Sequence, residues 1–158
     1  MSREIERKFL VVGEPWHHAV ARVAIRQGFL CAGTGPTVRV RIADDRAYLT
    51  IKGAMKGLTR DEFEYAIPVA DAVAMLDTLC SRPLIEKVRY TVPHAGYAWS
   101  VDAFAGDNAG LVVAEIELED EHEMPALPPW VGQEVSDDPR YLNANLQRHP
   151  FSRWQGGG

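Results

Sequence analysis

Cysteine is scarce: Cys31 and Cys80 are the only two, and they show no CxxC spacing. That excludes a disulfide framework and a cysteine-built zinc site, and the plain expectation is two buried free thiols in a reducing compartment. Long apolar runs are missing too, since no stretch approaches the ~20 residues that a membrane span needs. The first residues are charged and carry no signal-peptide core, so the expected location is cytoplasmic, with no membrane partner. A basic surplus is also lacking. The formal net charge is -5, which argues against a general nucleic-acid binder. Local sorting is a separate matter, because a small basic site fits inside an acidic protein. His17, His18, His94, His122 and His149 show no ligand spacing such as HExxH, so solvated loop positions are expected for them. Internal repeats and low-complexity segments are absent.

What remains reads as one globular domain. Hydrophobic residues make up 46% of the 158 residues and charged residues 25%, enough apolar content for a sizeable core. Strands are expected at 3–12, 23–31, 37–43, 46–52, 61–67, 84–92, 97–104 and 111–119. Asp44-Asp45 makes a hairpin turn, and the loop GAMKGLTR (Gly53–Arg60) is read as a mobile edge. After Pro68 the apolar period changes to that of a helix, over roughly 69–80. PALPPWVG reads as irregular. DPRYLNANLQR suggests a last helix, capped by Asp137 or Asp138 with Pro139 at its first position. The expected class is α+β, mainly antiparallel β, with two or three helices. Residues 1–150 form the domain, and 151–158 are expected to be a flexible tail.

Residues i and i+2 of a strand share a face. Applied here, the rule stacks Glu4, Glu6 and Lys8 on one side, with Ile5 and Phe9 opposite. Arg39 and Arg41 share a face, as do Glu62 and Glu64, Lys87 and Arg89, and Glu115, Glu117 and Glu119; Lys52 and Asp102 likewise stand opposite apolar neighbours. A half-exposed antiparallel sheet alternates apolar and charged residues in any case. The segregation by sign is less ordinary, because protein surfaces intersperse the two signs. Like charges two apart on a strand sit about 7 Å from each other. That costs about 2 kcal/mol at an effective dielectric of ~20 and about 0.6 kcal/mol in water. On an open surface the pattern is cheap. Inside a closed barrel it needs a ligand: a polyanion for the bases and divalent cations for the acids. Two readings therefore compete, an open two-layer sheet and an inverted barrel with a charged interior. In the second, the bases suit phosphate oxygens and the carboxylates suit Mg²⁺ or Mn²⁺.

At the level of motifs, Glu4-Ile5-Glu6-Arg7-Lys8 fits an ExExK signature, and VRVR, LTIKG, EFEYAI, EKVRY, SVDAF and EIELE follow in order. Together they resemble the CYTH superfamily, the triphosphate tunnel metalloenzymes, over residues 2–148. The resemblance implies an eight-stranded closed antiparallel β-barrel with flanking helices. It also implies metal-dependent triphosphate chemistry with one or two Mg²⁺ or Mn²⁺ ions. Carried over by position, Glu4, Glu6, Glu62, Glu64, Asp102, Glu115 and Glu117 would face metal. Lys8, Arg39, Arg41, Lys52, Lys87, Arg89 and Arg140 would hold the substrate, and Lys8, Glu4 and Glu6 would serve catalysis. The short length and the ending VSDDPRYLNANL look most like the bacterial inorganic triphosphatases, with a small-molecule triphosphate as partner and a homodimer left open. The alternatives are adenylate cyclase or nucleoside or thiamine triphosphatase activity, or a non-catalytic polyphosphate-binding module.

Overall fold

A computed structural model of the chain describes residues 2–33 and 35–154. Nine strands form one antiparallel sheet: β1 (Ser2–Val11), β2 (Ala21–Cys31), β3 (Thr37–Ala43), β4 (Arg46–Lys52), β5 (Thr59–Ile67), β6 (Ile85–His94), β7 (Tyr97–Phe104), β8 (Val112–Glu117) and β9 (Val131–Glu134). Their order is β5-β4-β3-β2-β6-β7-β8-β1-β9, and β5 also pairs with β1, so eight strands close into a barrel and β9 is an addition. β1 makes the closure by pairing along both edges, with β8 on one edge and β5 and then β9 on the other. Ser2–Ile5 lie against β5, Glu6–Leu10 against β8, and Phe9 and Val11 against β9.

The apolar faces look outward and are covered from outside. Helix α1 (Val69–Thr78) lays Ala72 and Leu76, both fully buried, on Val40 of β3 and Ala47 of β4. Gly28 permits the close approach next to it, because a Cβ there would meet Cys80 and Leu84 at 2.8 Å. A second cluster centres on Trp99, which lies edge-on to Phe9 and Trp130 with ring centroids 5.6 Å apart in each case. The third closes one end of the barrel. Ile85, Phe104 and Val113 share faces with Lys87, Asp102 and Glu115, two residues away in each strand. They pack with Tyr141, Leu146 and Trp154 of the C-terminal segment. The inward face is thus charged along most of the barrel and apolar where the chain plugs it.

Departures from the sequence reading have local causes. β9 was expected to be irregular; it is four residues long and follows a proline-rich run, so period-2 patterning had little length in which to show. The last helix is broken in two. Asp138 accepts a hydrogen bond from the Arg140 N–H at 3.0 Å and caps a short 3₁₀ turn, Pro139–Tyr141. Leu142 is extended, and α2 (Asn143–Arg148) starts afresh. Residues 151–154, placed in the tail, form a short turn, and Trp154 is buried against Tyr141 and Phe151. Residues 155–158 lie outside the described residues. Cys31 is exposed and Cys80 half-buried, which corrects the expectation of two buried thiols. Cys31 falls at a register shift where β2 leaves β3. No helix among the described residues is long and apolar enough to cross a membrane.

Leu76 anchors α1 over the barrel wall. Leu76→Ala is expected to lower the unfolding free energy by about 2–5 kcal/mol, read from the urea midpoint at unchanged slope. An unshifted midpoint would show that the helix contributes nothing to the wall.

Candidate active site inside the barrel

The interior holds a cavity of about 280 Å³ lined by Glu4, Glu6, Lys8, Arg39, Arg41, Lys52, Arg60, Glu62, Glu64, Lys87, Arg89, Glu115 and Glu117. Twelve of these thirteen come directly from the i, i+2 pattern. Alternation predicted the shared faces, and closure turns those faces inward. Register then sorts the charge. Glu6 lies opposite Glu117, and Lys8 opposite Glu115, across the β1–β8 pair. β3, with Arg39 and Arg41, stands on the far side of the barrel in the strand order. An acid-rich arc therefore faces a base-rich arc.

The acid-rich arc carries more negative charge than its neighbours neutralise. Lys52 Nζ lies 2.8 Å from Glu4 Oε2 and 3.4 Å from Glu62. Burial would raise the Glu4 carboxyl, but a hydrogen bond from Glu62 and the Lys52 ammonium hold it below the usual carboxylate range. Glu62 is pushed up to about 6 by sharing that hydrogen bond, with burial adding to it. Burial, then Glu115 and Glu4, hold Glu6 well above the usual range. Glu115 stays near 2 because Lys8, at 3.6 Å, and Arg89, at 3.8 Å, outweigh its burial.

The base-rich arc shows the converse. Burial, then Arg39 and Arg89, lower Arg41 to about 9. Burial pushes Lys87 down to about 7 against the pull of Asp102. Arg39 is 7% exposed, and its Nε is buried with no partner among the described residues. Its Nη2 donates to Thr50 at 3.2 Å and lies 3.6 Å from Glu64. The cavity thus holds an under-neutralised cation wall opposite a crowded carboxylate wall.

Two expected site residues are placed elsewhere. Asp102 is 1% exposed and does not line the cavity. Its oxygens accept Arg89 Nε at 2.7 Å and Nη2 at 2.8 Å, and Lys87 Nζ at 2.8 Å. The metal-facing assignment is corrected: Asp102 is the anion that holds both bases upright. Arg140 is outside the cavity, paired with Asp138 at 2.7 Å and lying 4.6 Å over the Trp154 ring. Its neighbour Tyr141 takes the inward direction, which turns Arg140 out, so the substrate-binding assignment is corrected as well.

Other lining residues escaped the sequence reading. Arg60 shares a face with Glu62, but β5 starts at Thr59 rather than 61, so the residue was placed in the preceding loop. Asn143 of α2 accepts two hydrogen bonds on Oδ1, from Lys87 Nζ and Gln27 Nε2, each at 2.8 Å. Gln27 Oε1 in turn accepts from Arg41 Nε at 2.7 Å. Lys8 Nζ donates to the Tyr141 carbonyl at 3.1 Å. The C-terminal segment thus orients Lys8 and Lys87 and, through Gln27, Arg41. No local pattern could have announced an asparagine that acts from another element.

Among the described residues, no three histidine, cysteine or carboxylate side chains converge closely enough to enclose an ion by themselves. A divalent ion held here would therefore share its coordination between one or two carboxylates, substrate oxygens and water. Glu6, kept from ionising freely by burial first and then by Glu115 and Glu4, fits such a partial donor set.

A closed antiparallel barrel with an ionic interior of both signs defines a polyanion-handling tunnel protein. The profile of the CYTH domain matches residues 2–146, and the chain belongs to that family. It is 46% identical over 155 residues to the inorganic triphosphatase of Acetivibrio thermocellus, covering 98% of this chain and 99% of the relative. It is 37% identical over 148 residues to the inorganic triphosphatase of Nitrosomonas europaea, covering 90% and 95%. The crystal structure of an inorganic triphosphatase superposes with a TM-score of 0.67 at 33% identity, covering 90% of this chain and 96% of that one. A putative adenylyl cyclase from Hippeastrum with dominant triphosphatase activity shares the fold at 14% identity and a TM-score of 0.55, covering 74% and 80%. Triphosphatases of this family are metal-dependent in general.

Asp102→Ala leaves the buried Lys87 ammonium without its anion and takes the nearest anion from the half-buried Arg89, so it is expected to cost about 3–5 kcal/mol. Arg140→Ala removes an exposed pair and a contact over the Trp154 ring, and is expected to shift the unfolding midpoint far less. Equal unfolding midpoints for the two variants would remove the positioning role given to Asp102.

Proposed function

We propose that the chain hydrolyses linear inorganic triphosphate to pyrophosphate and phosphate with Mg²⁺ or Mn²⁺, within a single tunnel domain of residues 1–150. The observation that carries this reading is the pair of opposed arcs, cation-rich and acid-rich, around one small cavity. The cavity of about 280 Å³ is lined mostly by charged and polar side chains, which suits a bare phosphate chain.

Arg39, Arg41, Lys52, Lys87 and Arg89, with Lys8 and Arg60, would hold the phosphates in a row. Guanidinium groups bind phosphate oxygens in pairs, whereas each lysine offers a point charge. One or two of Glu4, Glu6, Glu115 and Glu117 would hold the metal together with substrate oxygens and water, with Glu62 and Glu64 fixing Lys52 and Arg39. When bound, the metal would supply charge neutralisation on the phosphates and activation of water. Of the two lysines tied to the C-terminal segment, Lys8 shares a face with Glu6 and would contact either the terminal phosphate or the attacking water. In-line attack then needs little more from the chain than alignment and charge.

Phosphate release should be measured for triphosphate, ATP and thiamine triphosphate at equal concentration, with and without Mg²⁺ or Mn²⁺. The expected preference is for triphosphate, and excess chelator should abolish it. Glu4→Gln and Glu117→Gln should each stop metal-dependent turnover without unfolding the chain. Full activity in both glutamine variants, or in excess chelator, would sink the reading. Tight binding with no release in any metal would favour a binding module instead.

A further inference from the structure

The cavity lining reaches the surface at two openings of opposite sign, and we infer that a polyphosphate anion enters by the one at whose rim Arg148 of α2 stands. The apolar plug tells the two ends of the barrel apart. Phe29, near the end of β2, and Val113, near the start of β8, both pack into the plug. Glu117 is the last residue of β8, so it lies at the far end. Glu64 belongs there too. Thr37, Lys52 and Glu62 form one row of paired residues at the plugged end, and Glu64 is two residues further from it along β5. Both glutamates line the cavity and are exposed, Glu64 over 42% of its side chain. A highly charged anion arriving at this far opening would meet carboxylates first.

The near opening lies beside the plug. Gly33, just past β2, and Thr37, first in β3, line the cavity there together with Ala144, Asn145 and Arg148. Gly33 and Arg148 are exposed, so the cavity opens between α2 and this strand connection. Ala144 and Arg148 are one turn apart and share a face of α2, while Leu146 and Gln147 are buried. Arg148 Nη2 donates to Asn145 Oδ1. Asn145 Nδ2 in turn donates to the Pro139 carbonyl at 2.7 Å. The amide is tied at both ends and steadies the guanidinium at the rim. Being neutral, it leaves the charge of Arg148 to act on an approaching ligand. A path of cations leads inward from there. Arg39 follows Thr37 on the same face of β3, and Asn143, further back on α2, touches Lys87 at 2.8 Å. A charge at a rim acts mainly on encounter, and its pull is screened by salt.

The inference rests on the triphosphate reading, so the probe is tripolyphosphate with Mg²⁺. Hydrolysis is followed with the full chain and its Arg148→Ala, Arg148→Glu and Arg148→Lys variants, at low and at high salt. Arg148→Glu should lower kcat/KM about tenfold at low salt, with kcat and the Mg²⁺ concentration for half-activity unchanged. Arg148→Ala should fall between, Arg148→Lys should restore most of the loss, and high salt should shrink every difference. An unchanged kcat/KM in Arg148→Glu at low salt overturns the inference. So does an equal loss in Arg148→Lys, which would mark packing rather than charge. Calorimetric affinity for tripolyphosphate on the same proteins separates the two claims. If none hydrolyses triphosphate, the hydrolysis reading fails, and weaker binding by Arg148→Glu still supports the entry route. Equal binding by all four proteins, or binding by none, overturns it.

Discussion

Closing a sheet whose charged side faces inward forces like charges together with little water between them. Every feature of the interior answers to that constraint. Glu6 and Glu117 oppose each other directly across β1 and β8, and Arg39 and Arg41 crowd Arg89 and Lys87 from the other side. The protein relieves part of the conflict with its own pairs: Lys52 with Glu4, Lys8 with Glu115, and Asp102 with Lys87 and Arg89. What it leaves unrelieved is a protonation-prone Glu6 on one wall and a partnerless Arg39 Nε on the other. A chain of phosphates carrying a divalent cation has charges of the required signs on the required sides.

The rest of the architecture serves to keep that interior shut and aligned. The hydrophobic effect acts on the outer faces, under α1 and around Trp99, and at the one end of the barrel that the C-terminal segment plugs. The C-terminal segment plays a double part. Leu146 and Trp154 seal the apolar end, and Asn143 and the Tyr141 carbonyl hold Lys87 and Lys8 in place. Stability and site geometry are therefore coupled through the last fifteen or so described residues.

Much of this was legible beforehand, for a physical reason. A strand repeats every two residues, so one odd alternation in Glu4-Ile5-Glu6-Arg7-Lys8 is evidence about a whole face, and the strands at 37–43, 46–52 and 97–104 read true to the residue. Whether the sheet closed was not written in the alternation, since an open sheet shows the same period. Boundaries were the weaker part, and Arg60 was lost because a strand started two residues early. Asp102 carried the right charge on the right face, but two bases had already claimed its oxygens, and only three-dimensional pairing reveals that. Arg140 was misplaced because the terminal segment is irregular, so no period dictates which side chain turns inward.

The most direct test is the unfolding temperature of the protein titrated with tripolyphosphate, with and without Mg²⁺, at low and at high salt. A ligand that neutralises the interior binds the folded chain alone and must raise its stability. The account predicts a rise with tripolyphosphate, a larger one with metal present, and attenuation of both by salt. An unfolding temperature indifferent to tripolyphosphate under all these conditions would contradict it.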